Sequence, residues 1–143
     1  PLHLASQSQT IQCGTHAEAP TLSSVGNQTE GVMDSCDMAS RRCRPCEGGI
    51  PPLDAAAVHA LLLGLPGWRL SARRLEKSFA FRNHYEVMAF VNAIAWVSHR
   101  QEHHPELLVG YKDCRVAYWT HAIGGLSEND FICAAKLERL LEI

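Results

Sequence analysis

The sequence has no apolar run of the about eighteen residues that a membrane-crossing helix needs. Its greasiest stretch, Val87 to Val97, is too short and too interrupted to span a bilayer. Excess charge is also missing. Thirteen Lys and Arg against fifteen Asp and Glu leave a formal net charge of −2, which argues against a broad basic face for gripping nucleic acid. Residues 1–32 contain no Lys, no Arg and no aromatic residue, and are rich in Ser, Thr, Gln, Asn and Gly. Such a segment buries little apolar surface and cannot offset the entropy of ordering itself. It has neither a basic n-region nor a continuous apolar h-region, so it does not read as a signal peptide. There is no Gly-x-Ser-x-Gly elbow, no P-loop and no dinucleotide-type glycine pattern, which removes the usual sequence support for a serine hydrolase or a nucleotide-binding enzyme.

What is present fits one small globular domain. The chain has 143 residues, of which 46% are apolar, enough for a single packed core and too many for a disordered chain. Every Phe, Trp and Tyr lies between Trp68 and Phe131, so the core is expected in the C-terminal part. Residues 1–40 are expected to be disordered or an upstream extension, with Met33 a plausible alternative start, and 41–143 to be the folded domain.

Cys114 and Cys133 sit inside apolar patterns and read as buried thiols. Cys43 and Cys46 have the C-x-x-C spacing of zinc sites and redox dithiols, but no second C-x-x-C or H-x-H pair supplies further zinc ligands, and no strand–helix unit flanks them. Reduced thiols in a cytoplasmic protein are the default expectation.

Asp54 caps a short helix carrying Val58, Leu61, Leu62 and Leu65 on one face, stopped by Leu65-Pro66-Gly67. Trp68 to Ala72 and Leu75 to Phe81 read as a hairpin. Asn83 with Glu86 resembles a capping box opening a helix to about Glu102, whose apolar positions include Met88, Phe90, Val91, Ile94, Ala95 and Val97. Pro105 ends it. Leu107 to Tyr111 and Arg115 to Thr120 form a second hairpin around Lys112-Asp113, and Ser127 caps a last helix from Glu128 to about Glu142. The order α-β-β-α-β-β-α predicts an α+β domain, a four-stranded antiparallel sheet with helices packed on one face.

The histidines carry the chemistry. His103 and His104 stand at the end of the long helix, just before Pro105, and His121 follows the last strand. A helix end and a strand end can meet at one rim of such a sheet, so the three imidazoles could share a cleft. Imidazole both accepts and donates a proton near pH 7, and a helix C-terminus favours its charged form while a neighbouring imidazole opposes it. Proton transfer on a small molecule is the expected chemistry. Metal binding is the rival use, resting only on His99 and His103 at i, i+4.

At these residues the sequence resembles the pterin-4a-carbinolamine dehydratase family. The resemblance is carried by Glu102-His103-His104-Pro105-Glu106, by Val116 to His121 (Val-Ala-Tyr-Trp-Thr-His) and by Gly125 to Asp130 (Gly-Leu-Ser-Glu-Asn-Asp), with Gly67-Trp68 and Phe79-x-Phe81 before the long helix. Cys43 to Gly49 and Glu128 to Ala135 are similar to bacterial members. The resemblance implies dehydration of a 4a-hydroxytetrahydropterin to the quinonoid dihydropterin, within recycling of a tetrahydropterin cofactor. It implies His103 and His121 as proton-transfer residues and His104 as orienting the pterin. Glu102, Trp119, Thr120 and Ala122 would line the site, and no metal or organic cofactor is implied. Asp130 falls in the family's Ser-x-x-Asp, where helix capping is the expected role and a part in the site the alternative. His99 departs from relatives with a carboxylate there, which leaves open which side chain supports the site from behind. A homodimer or homotetramer and coupling to a pterin-dependent aromatic amino acid hydroxylase are implied partners, with no nucleic acid and no membrane. The competing reading is a non-enzymatic relative acting in Rubisco assembly or as a transcription coactivator.

Overall fold

The computed structural model describes residues 35–45 and 51–141. Helices α1 (Ser35–Ser40) and α2 (Ala55–Leu63) lead into strands β1 (Arg69–Ser71) and β2 (Arg74–Ala80). Helix α3 (His84–Gln101) then precedes β3 (Glu106–Val109) and β4 (Asp113–Tyr118), and a 3₁₀ turn (His121–Ile123) leads to α4 (Glu128–Arg139). The strands form one antiparallel sheet in the order β1-β2-β4-β3. The α+β class and the expected element order are present, with α1 and the 3₁₀ turn in addition.

Local chemistry explains most boundaries. Asp54 accepts the Ala57 N–H at 2.8 Å to start α2. Asn83 accepts the Glu86 N–H at 3.0 Å to start α3, but the Glu86 carboxylate reaches back to the Arg82 N–H, also at 3.0 Å. That is one residue earlier than a capping box requires. Strand β4 begins two residues before the expected Arg115. Gly110 donates its N–H to the Asp113 carbonyl at 2.8 Å, and a Cβ at Gly110 would lie 2.4 Å from Asp113 Oδ1. The chain therefore reverses before Asp113 and admits that residue to the ladder opposite Ala80.

One face of the sheet, with Leu75, Phe79, Cys114, Val116 and Tyr118, is sealed by helical residues that include Val58, Leu61, Val87, Phe90, Ile94, Phe131 and Leu137. Helix α3 departs from the expected apolar face. Val87 is fully buried, whereas Met88 and Ala95 lie outside. The choice between overlapping stripes is made by Phe90, whose ring sits 4.8 Å from Phe79 and 5.1 Å from Phe81. Helix α4 is buried almost all round, from Asn129 to Ala135 and at Leu137, as befits a helix enclosed by the core. Its run of Cys133, Ala134 and Ala135 offers small side chains to its neighbours. Helix α1 packs on α4 through the fully buried Met38, and Lys136 Nζ donates to the Ala39 carbonyl at 2.6 Å. Packed structure thus starts before the boundary expected at residue 41; the expectation for residues 1–34 lies outside the described residues.

At the far end of α4, Glu138 accepts Trp68 Nε1–H at 2.7 Å and Lys77 Nζ at 2.8 Å. Glu138→Ala leaves the buried indole N–H and the ammonium without this acceptor. A loss of about 2 kcal/mol is expected, since unsatisfied buried donors cost about 1–3 kcal/mol. Glu138→Gln should lose less, because an amide oxygen still serves Trp68. Urea unfolding of the two variants checks the order.

Candidate functional site

The site begins with a left-handed residue. Glu102 closes α3 at φ 52°, ψ 32°, a conformation that costs an L-residue about 1–2 kcal/mol. The N–H groups of Glu102 and His103 both turn back to the Ser98 carbonyl, as in a Schellman-type cap. This reversal separates two adjacent imidazoles. The His103 side chain turns inward and keeps only 12% of its surface, while His104 stays exposed. It also breaks the i, i+4 relation expected between His99 and His103. His99 remains on the outside of α3, its ring 5.7 Å from Trp96.

The inward histidine meets a carboxylate from α4. His103 Nε2 lies 2.7 Å from Asp130 Oδ1, and Asp130 is completely buried. Its other oxygen accepts the Ser127 N–H at 2.7 Å and the Thr120 hydroxyl at 2.8 Å. Asp130 thus does what capping requires at the start of α4 and also holds His103. From the sequence these roles are alternatives; the two oxygens of one carboxylate divide them. Underneath, Tyr118 lies nearly parallel to the His103 ring, with centroids 5.8 Å apart and planes 11° apart. Burial pushes the Tyr118 phenol well above its usual range, which keeps the stacked ring neutral.

His121 comes from the opposite rim. After β4, Thr120 donates its N–H to the Gly125 carbonyl at 3.1 Å, closing a loop whose Gly124 adopts φ +66°. Within that loop the 3₁₀ turn displays His121 and Ala122 outward. The loop is pinned from behind, since a Cβ on Gly125 would fall 2.4 Å from Pro52 Cβ.

A cleft of about 370 Å³ results, within the range of small-molecule sites. It is lined by Glu102, His103 and His104 from one rim and by Trp119, Thr120, His121 and Ala122 from the other. Every site residue expected from the sequence reaches this one cleft. The structure adds the segment at Cys43 and Arg44, together with Asn129. Cys43 donates its N–H to Gln101 Oε1 at 3.0 Å, and Arg44 exchanges two hydrogen bonds with the Asn129 amide at 3.0 and 2.7 Å. The sequence signals for this wall are the resemblance of Cys43 to Gly49 and of Glu128 to Ala135 to bacterial family members, and neither reveals that the two segments meet. Cys46, the other half of the C-x-x-C, lies outside the described residues. Among the described residues no group of three or more His, Cys, Asp or Glu could hold a metal ion, and no helix is long and apolar enough to cross a membrane.

Residues 51–140 match the family described as Pterin 4 alpha carbinolamine dehydratase. A protein of Dechloromonas aromatica, provisionally named pterin-4-alpha-carbinolamine dehydratase, is 72% identical over 109 residues, covering 76% of this chain and 97% of the relative. One from Nitrosomonas eutropha with the same provisional name is 60% identical over 107 residues, covering 74% and 95%. Among solved structures, a transcriptional coactivator/pterin dehydratase from Brucella melitensis superposes with a TM-score of 0.60 at 25% identity, covering 62% of this chain and 97% of that one.

Proposed function

The chain belongs to the pterin 4 alpha carbinolamine dehydratase family, and from that premise we propose that it converts a 4a-hydroxytetrahydropterin to the quinonoid dihydropterin and water by histidine acid/base catalysis. The observation that carries the mechanism is the 2.7 Å contact of His103 Nε2 with the buried Asp130 carboxylate, at the floor of a cleft that His104 and His121 also line.

An ionised carboxylate can only accept, so Nε2 carries the proton and Nδ1 keeps the lone pair. His103 Nδ1 takes the proton from N5 of the pterin. The N5–H electrons become the C4a=N5 bond as the C4a–O pair leaves with the hydroxyl. His121, protonated, gives that hydroxyl its proton, and water departs. Solvent then returns a proton from His103 to His121. His104 orients the pterin at the rim, with Glu102, Trp119, Thr120 and Ala122 as its walls. The substrate class is that named for the relatives; a pterin-dependent aromatic amino acid hydroxylase is the enzyme that would supply the carbinolamine. A second copy of the chain is a proposed partner, supported by exposed Tyr85 and Trp96 on α3 and Leu108 at the edge of the sheet.

The test is coupled turnover. The purified protein is added to a pterin-dependent hydroxylase, and decay of the carbinolamine is followed against its spontaneous rate. Acceleration by the wild type is expected. His121→Ala should reduce it about 10²-fold, the low end for general acid catalysis, because His121 is exposed and solvent can donate in its place. No acceleration by the wild type would favour the non-enzymatic reading.

A further inference from the structure

Beyond the acid/base residues, a cleft-lining thiol, Cys43, is backed by a buried one, Cys133, and the proposed dehydration uses neither. Cys43 Sγ and Cys133 Sγ are 3.5 Å apart, brought together by segments ninety residues apart in sequence. Their surroundings differ. Cys133 is completely buried in α4, one turn beyond Asp130. Cys43 is half-buried and lines the cleft, so it is the member a solute can reach. Its backbone is held in place by Gln101, and its neighbour Arg44 by Asn129.

We propose that Cys43 and Cys133 are a peroxide-oxidisable dithiol at the wall of the cleft, with Cys43 the attacking and Cys133 the resolving sulfur. The chemistry balances without any bound group. The Cys43 thiolate attacks one oxygen of hydrogen peroxide, giving Cys43 sulfenic acid and hydroxide as the O–O bond breaks. Cys133 sulfur then attacks the sulfenic sulfur; its thiol proton leaves with the displaced hydroxyl as water, and the S–S bond forms. Peroxide has accepted two electrons, one pair, from the two thiols. The environment supports this division of labour. The contact with Cys133 lowers the Cys43 thiol below its ordinary value against the opposing effects of burial and of Asp130, with Lys136 adding attraction. The same contact, followed by burial, pushes Cys133 far up. Closing the contact to a bonded distance of about 2.05 Å asks the short coil at Cys43 to move toward α4, which is easier than moving an enclosed helix.

The sequence spacing points to Cys46 as the partner of Cys43, whereas the folded contact points to Cys133. That contrast supplies the test. The full-length reduced protein is exposed to near-stoichiometric hydrogen peroxide, remaining thiols are alkylated, and disulfides are mapped by peptide mass spectrometry. A Cys43–Cys133 linked peptide, reversed by dithiothreitol, is the expected product in the wild type and equally in Cys46→Ser. In Cys133→Ser the reaction should stop at Cys43 sulfenic acid, trapped by dimedone. A Cys43–Cys46 link in the wild type, or no intramolecular disulfide in Cys46→Ser, overturns the proposal. Because Cys46→Ser leaves the buried pair intact, the test does not depend on Cys133→Ser folding. The readout is a mass, so it stands apart from the dehydratase reading.

Discussion

His103→Ala is expected to lower kcat for carbinolamine dehydration by about 10⁴-fold, the upper end for a positioned proton-transfer group, with a much smaller change in KM. The reason is placement. His121 sits on the exposed rim, where water can partly replace it, but His103 keeps only 12% of its side-chain surface between Tyr118 and Asp130. In the proposed mechanism bulk solvent would have no comparable route to N5 of the pterin. The substitution also removes a ring from a stacked, half-buried position, leaving a gap the size of imidazole. Added imidazole should therefore restore part of the turnover in His103→Ala, whereas it should do little for a protein that has merely unfolded. Rates are taken after subtracting the spontaneous reaction. A variant within tenfold of wild type would remove His103 from the role of base.

Asp130→Asn is expected to cost about 10³-fold in kcat although the side chain keeps its shape. One oxygen of Asp130 must go on accepting the Ser127 N–H and the Thr120 hydroxyl, so the Asn carbonyl oxygen will occupy that position. Its NH₂ group is then forced toward His103 Nε2. Two donors cannot face each other, so the imidazole must turn Nε2 into an acceptor and carry its proton on Nδ1. The lone pair that would receive the N5 proton is gone, the same logic by which an Asp→Asn change disables a Ser-His-Asp triad. Circular dichroism should show an intact fold, with a stability loss of about 1–2 kcal/mol from weakened charge-assisted hydrogen bonds. Near-wild-type turnover in this variant would mean that Asp130 caps α4 and does nothing for the proton.

Much of this arrangement is legible in the residues themselves. Asp54, Asn83 and Ser127 announce the helix starts because a side-chain oxygen before an apolar repeat has few other uses. His103, His104 and His121 stand at element ends, which is where an antiparallel sheet gathers its rim. Three things were not legible. Position 102 carries a Glu, which gives no sign of a left-handed turn, so His103 and His104 read as neighbours with a common outlook. The buried stripe of α3 is ambiguous from periodicity, and only contact with Phe79 and Phe81 selects Val87 over Met88. The contact between Cys43 and Cys133 depends on tertiary distance, since ninety residues of chain separate them.

The shared carboxylate has a thermodynamic corollary. Because Asp130 simultaneously nucleates the final helix and anchors an imidazole borrowed from the end of α3, fraying of that helix by a single turn releases the anchor. In the proposed mechanism such a local opening would silence His103 before the rest of the fold is lost, so turnover would report on the first turn of α4 as well as on global unfolding.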